Sequence, residues 1–278
     1  MKNNHYRFKK TLRETLYGDI ILASHHFKTF AIKRIHLAAT QQHCTLQGHQ
    51  SVPENAELER QVNRQLALDD APCHHTLPLL DEFEENGYMH LVFPYCRRGD
   101  LFAKLDREGA LPPTQSHKYF VEIVTAVAHL HRLGYAHMDI SLENVLLNTK
   151  DSCQLCDFGL VAPLCRKKTE SVGKLFYMAP EVYAGTPYEP EPADMWSLGI
   201  VLFIMCTGFP LGETPSSDDS RFAYFARHGL RALLDAWEVM IPAPLLEIVD
   251  ALLCIEPEMR LTMKELQAKL GLLIDPQC

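Results

Sequence analysis

The sequence predicts an α+β chain in two lobes, a small β-rich lobe over about residues 1–95 and a larger helical lobe over about 96–278. Three observations carry this prediction. Before Tyr95 the apolar residues fall mostly in short runs rich in β-branched side chains, separated by polar turns. Beyond it they recur at helical spacing over long stretches. A short connector, Pro94 to Gly99, joins the two patterns.

Each element follows in order. Gly18 to Ala23 and Thr29 to Ile35 read as strands around a polar turn, His25 to Lys28. Pro53 to Leu68 reads as a helix, because Leu58, Val62 and Leu66 recur on one face. Met89 to Phe93 is a short apolar strand. Phe120, Ile123, Val124, Val127 and Leu130 mark a long amphipathic helix, and Gly134 stops it. Val145 to Leu147 and Gln154 to Cys156 read as two short strands. The remainder is helical, interrupted by proline-rich connectors around Pro187 to Pro192 and Pro242 to Pro244.

Length and composition bound the function. A chain of 278 residues can bury a proper core. Its net charge of -8 gives no electrostatic reason to bind nucleic acid or anionic membranes, and suits basic peptide partners. The start, MKNNHYRFKK, lacks the apolar core of a signal peptide. The longest apolar run, Ile200 to Cys206, is far too short to span a bilayer. Nine cysteines are scattered without a second ligand pair beside Cys153 and Cys156, so free thiols in a reducing, cytoplasmic setting are expected. The doublets His25–His26 and His74–His75 meet no Cys or carboxylate at helical ligand spacing, which leaves them as surface or core histidines.

Chemistry concentrates in four short segments. Lys33 ends an apolar strand, Phe30-Ala31-Ile32-Lys33. After the long helix comes His137-Met138-Asp139-Ile140-Ser141-Leu142-Glu143-Asn144. An Asp and an Asn on one loop can aim at a common point, one to accept a hydroxyl proton and the other to hold a metal. Asp157-Phe158-Gly159 follows, and an Asp there suits Mg²⁺, which favours hard oxygen ligands. Ala179-Pro180-Glu181 comes next.

In this order and spacing the segments resemble the protein kinase superfamily, over roughly residues 12 to 270. Asp194-Met195-Trp196-Ser197-Leu198-Gly199 and Arg260 extend the match. The resemblance implies a bilobal kinase-like fold and transfer of the ATP γ-phosphate to Ser/Thr hydroxyls of protein substrates. It implies that Lys33 holds the α- and β-phosphates, and that a glutamate on the next helix orients it. Glu59 fits best and Glu57 is the alternative. Asp139 would be the base, Asn144 and Asp157 the Mg²⁺ ligands. Glu181 would pair with Arg260, and Asp194 would brace the catalytic loop. ATP would lie against Gly18, Ile20, Ala31, Phe93, Pro94, Cys96, Asp100, Leu146 and Cys156, with Pro94 offering its carbonyl and Cys96 its N–H. Glu143-Asn144 and Arg98-Gly99-Asp100-Leu101-Phe102 look most like the calmodulin-dependent and checkpoint branch, although nothing after residue 270 resembles a calmodulin-binding helix.

Several departures stand out. Arg13 and Thr15 replace two of the three loop glycines, and only Gly18 remains. Met138 replaces the arginine beside the catalytic Asp, so activity should not need a phosphate on Thr169 or Ser171. Asn63 stands where an apolar residue should stack toward Phe158. Ser141 replaces the catalytic-loop lysine, while Lys174 stands where the activation segment usually has threonine. Hydroxyl and ammonium have traded places, and Lys174 is expected to replace the missing lysine with Ser141 bonded to it. Asp100 and Glu143 are expected to meet basic residues upstream of the target hydroxyl. Cys156 is expected at the floor of the ATP pocket, where a lysine or metal would make its thiol nucleophilic. The alternative to an enzyme is a pseudokinase, a nucleotide-binding or scaffold module, to which the lost glycines and Ser141 point.

Overall fold

The structure, a computed structural model, describes residues 6–41 and 54–272. The expected helix start at Pro53 lies outside them. The first lobe is a five-stranded antiparallel sheet with the order β1-β2-β3-β5-β4. Its members are β1 (Arg7–Thr15), β2 (Gly18–His25), β3 (Lys28–His36), β4 (Asp81–Glu85) and β5 (Tyr88–Pro94). Helix α1 (Leu37–Gln41) follows β3, and α2 (Ala56–Leu68) packs beside the sheet. Asn55 caps α2 by accepting the N–H of Leu58. Val62 and Leu66 are the apolar stripe of α2, and they pack against Leu130, Phe158 and Val161 of the second lobe.

The β2–β3 connection is tighter than the sequence suggests. The strands run on to His25 and Lys28, leaving only His26 and Phe27 in the turn, with φ of 43° and 65°. Positive φ at both central residues is what a two-residue hairpin of the right twist requires. Strand β1 is absent from the sequence prediction, and it has no apolar alternation to reveal it. Arg7 to Glu14 are all exposed, and the strand is held by backbone pairing to β2.

The second lobe is helical. In chain order it contains α3 (Leu101–Glu108), α4 (Pro113–Arg132), β6 (Tyr135–Ala136), β7 (Val145–Leu147), β8 (Cys153–Leu155), β9 (Ala162–Pro163), α5 (Pro180–Tyr183), α6 (Pro190–Thr207), α7 (Ser220–Ala236), α8 (Ala243–Leu252) and α9 (Met263–Lys269). Gly134, at φ 89°, lets the chain leave α4 and turn into β6. Strand β8 ends one residue before the predicted limit, because Asp157 adopts φ 68° and swings the chain out of the ladder. Helix α6 is buried almost all round, with Trp196, Leu198, Ile200 and Phe203 at 1% exposure or less. It forms the axis of the main core, against α4 and α8. Among the described residues no helix is long and apolar enough to cross a membrane.

Candidate active site

A cleft of about 340 Å³ lies between the sheet and the helical lobe. That volume is within the range of small-molecule sites. Ile20 and Ala31 line it from β2 and β3, Phe93 and Pro94 from the end of β5, and Cys96 and Asp100 from the connector. Leu146 and Cys156 line it from the second lobe, and Arg13 from β1. The β3–β5 register sets Ala31 beside Phe93 and Lys33 beside Leu91, which fixes this wall. Gly18 is the exception among the expected nucleotide contacts, since it does not line the cleft. A Cβ there would stand 2.0 Å from the carbonyl oxygen of Arg34. Gly18 therefore serves the close approach of β2 to β3 and not the wall of the pocket.

Lys33 projects from β3 to the base of the cleft. Its Nζ lies 2.7 and 2.9 Å from the two carboxylate oxygens of Glu59, and 2.9 Å from Asp157 Oδ1. Burial works against the charge on Lys33, but Asp157, Glu59 and Glu54 overcome it and push its pKa up. The charge of Lys33 in turn holds Asp157 down to about 2, against its own burial. Glu57 is exposed and reaches only Arg60, at 3.9 Å, so the structure brings Glu59 and not Glu57 to the lysine. Asn63 is 1% exposed and lines the cleft beside Phe158; its Nδ2 donates to the Glu59 carbonyl at 2.9 Å.

The loop after α4 presents Asp139. Asp194 of α6 braces that loop by accepting the backbone N–H of His137 and Met138, at 2.7 and 2.8 Å. His131 adds a third contact to Asp194 at 2.8 Å. Met138 is buried at φ 65°, a strained conformation for a non-glycine residue and one that clusters at functional sites. Asp139 Oδ2 accepts from Asn144 Nδ2 and from Lys174 Nζ, each at 2.7 Å. Asp139 Oδ1 is buried and has no hydrogen-bond partner among the described residues. Lys174 Nζ also donates to Ser141 Oγ at 2.9 Å. Lys174 and Ser141 are thus brought together on Asp139.

Further contacts complete the arrangement, and the expected Arg260–Glu181 pair is among them. Gly173, at φ 93°, lets the activation segment close on the catalytic loop; a Cβ there would stand 2.8 Å from the Met138 carbonyl oxygen. Lys168 and Tyr188 exchange two backbone hydrogen bonds, at 2.9 and 2.8 Å, and the Tyr188 hydroxyl donates to the Glu170 carbonyl. Tyr177 donates to Glu143 Oε2 at 2.9 Å. Glu54 packs over Gly159, where a Cβ would meet its Cγ at 3.3 Å. Arg260 and Glu181 form a bidentate pair at 2.7 and 3.1 Å, deep in the helical lobe.

The donor set suits Mg²⁺. Asn144 spends its amide nitrogen on Asp139, which leaves the amide oxygen for a cation. Asp157 gives Oδ1 to Lys33 and its side chain is 42% exposed at the cleft. Among the described residues no group of three or more His, Cys, Asp or Glu side chains is set to hold a metal alone. A Mg²⁺ ion at Asn144 and Asp157 would be held by one or two protein oxygens, with water and phosphates completing its shell. One sequence expectation fails here. Cys156 lines the cleft, but burial pushes its thiol pKa up strongly and the Asp157 charge adds to this. Lys33 and Lys174 pull the other way without reversing it. The surroundings of Cys156 thus raise the pKa of its thiol, where the sequence reading expected it lowered.

Comparison with known proteins places this geometry. Residues 6–270 match the family described as "Protein kinase domain". The serine/threonine-protein kinase GIN4 of Saccharomyces cerevisiae is 37% identical over 136 residues, which is 48% of this chain and 12% of that protein. The serine/threonine-protein kinase CHK1 of the same yeast is 30% identical over 219 residues, 75% of this chain and 41% of that protein. The chain thus spans less than half the length of either relative.

Proposed function

The chain belongs to the protein kinase family, and from that premise we propose that it is a serine/threonine protein kinase that moves the γ-phosphoryl group of ATP to hydroxyls of protein substrates. One observation carries the reading. Asp139 is fixed through Oδ2, whose donor Asn144 lines the cleft that holds the Lys33–Glu59–Asp157 array, and Oδ1 has no partner among the described residues. Such an oxygen is set to take a hydroxyl proton as the substrate oxygen attacks the γ-phosphorus and the bond to the departing ADP oxygen breaks. Lys33, oriented by Glu59, supports the non-transferred phosphates. Ile20, Ala31 and Leu146 give the adenine apolar faces. Asn144 and Asp157 would hold Mg²⁺, which supplies charge neutralisation at the phosphates.

Asp100 and Glu143 line the same cleft, which supports a preference for Arg or Lys before the target residue. Each has one oxygen engaged, Asp100 by the N–H of Ala103 and Glu143 by Tyr177, so both carboxylates are held in fixed positions. A phosphorylation assay on a degenerate peptide library tests both parts of the proposal. Transfer to Ser/Thr, abolished by Asp139→Asn, is expected, with enrichment of basic residues upstream. Selection of acidic or proline-directed sites refutes the substrate preference. The glycine-poor β1–β2 hairpin, with Arg13 and Thr15 on β1, favours a second reading as a pseudokinase. Nucleotide binding without phosphate transfer by the unaltered chain would establish it.

A further inference from the structure

Two ammonium groups reach the acidic centre from opposite walls. Lys33 comes from the sheet, and its Nζ is shared by Glu59 and Asp157. Lys174 comes from the activation segment, and its Nζ is shared by Asp139 and Ser141. Among the described residues, Lys174 is the one side-chain cation within ion-pair distance of Asp139. Its side chain is 30% exposed, so this is a seated group and not a lysine left in solvent. Ser141 is fully buried, and without Lys174 its hydroxyl would lose this contact. The backbone is shaped to deliver the ammonium. Gly173 fits against the Met138 carbonyl where no side chain has room, Val172 is buried in the core, and Tyr177 N–H closes the next turn on the Lys174 carbonyl at 3.0 Å.

Resting on the reading of the chain as a kinase, we propose that Lys174 is a catalytic residue, the cation that the activation segment brings to the phosphoryl group in transfer, with Ser141 as its positioning partner. An ammonium has three donors. Two are used, on Asp139 Oδ2 and Ser141 Oγ, and the third remains for an oxygen of the phosphoryl group. The transferred group carries its charge on three equatorial oxygens, and a preorganised donor beside them lowers the barrier without reorganising during the reaction. The same contact pins Oδ2 of the base and so fixes the carboxylate of Asp139. The step itself is unchanged: the proton goes to Asp139, the phosphoryl to the substrate oxygen and the electron pair to ADP.

The experiment is a double-mutant cycle on kcat with full-length chain, a peptide from the library and Asp139→Asn as the blank. Lys174→Thr is expected to lower kcat on the order of a hundredfold, as loss of one charge-stabilising donor does, with ATP-analogue affinity and melting temperature nearly unchanged. Lys174→Arg should retain most of the rate. Ser141→Lys added to Lys174→Thr should restore much of it, because position 141 lies 2.9 Å from the same Nζ. An unaltered kcat in Lys174→Thr overturns the proposal. So does a loss that neither Arg at 174 nor Lys at 141 relieves, since that marks a role of shape and not of charge. If the unaltered chain itself transfers no phosphate above the Asp139→Asn blank, the kinase reading fails instead, and the two failures are told apart.

Discussion

Cys156 and Asp157 are neighbours in the chain with opposite electrostatic fates. Burial pushes the thiol up, while the charge of Lys33 pulls the carboxylate down to about 2. Cys156 is therefore expected to stay a thiol at neutral pH and to resist iodoacetamide; a rapid, ATP-suppressible adduct in peptide mass spectrometry would contradict this. A second residue sets an acid limit. The N–H of Ala71, then Arg132, with His129 adding, hold Asp69 down to about 2 from an ordinary 3.8. A carboxylate lowered in the fold stabilises it above its ordinary pKa and stops doing so as pH falls through the lowered one. The melting-temperature gap between the protein and Asp69→Asn should thus persist from pH 7 to about 4 and close towards pH 2. At this scale the sequence was informative where a motif fixes spacing: Lys33, Glu59, Asp139, Asn144 and Asp157 meet in one site. It pointed the wrong way for the Cys156 thiol, because desolvation belongs to the assembled surroundings and not to a residue's neighbours in the chain.

The activation segment, which carries Thr169, Ser171 and Lys174, has several anchors within the chain. Its anchors are the Lys168–Tyr188 backbone pair, the buried Val172 and the Gly173 contact with Met138. Changing both Thr169 and Ser171 to Ala should leave the peptide phosphorylation rate within a few-fold; a loss of about a hundredfold, or about 2.7 kcal/mol, would show that phosphate is needed. Gly173→Ala is the opposite case. Its φ of 93° and the 2.8 Å approach to the Met138 carbonyl leave no room for a methyl group. The segment must lift, and kcat should fall about a hundredfold, as small misplacements of reacting groups do, with ATP affinity retained. Elements also mark where sequence reading ends. Helix α4 and strand β5 announce themselves by apolar period. Strand β1 buries nothing along most of its length and exists through pairing alone, so no periodic signal could have shown it.

Across the whole molecule, the two lobes and their connector were legible because the apolar period changes near Tyr95. The sheet order was not, since it depends on pairings between distant segments. Nor was the function of Gly18, which its neighbour strand decides. A deeply buried tie in the helical lobe is Arg260 with Glu181, at 1% and 11% side-chain exposure, supported by the carbonyls of Pro192, Cys254 and Ile255. Removing one partner strands a buried charge, so Arg260→Ala should lower the unfolding free energy by about 3–5 kcal/mol in urea titration. The Lys168–Tyr188 clamp is of a different order. Two backbone hydrogen bonds contribute about 1 kcal/mol each, whereas a micromolar peptide brings about 8 kcal/mol on binding. A peptide shifts the segment only by the difference between its affinities for this arrangement and for an open one, and a difference of a few kcal/mol would offset the clamp. By linkage, whatever favours the closed form tightens peptide binding, and peptide binding favours the closed form by the same factor. Because Lys174 lies on that segment, a substrate that favoured this arrangement would at the same time favour the seating of its ammonium on Asp139.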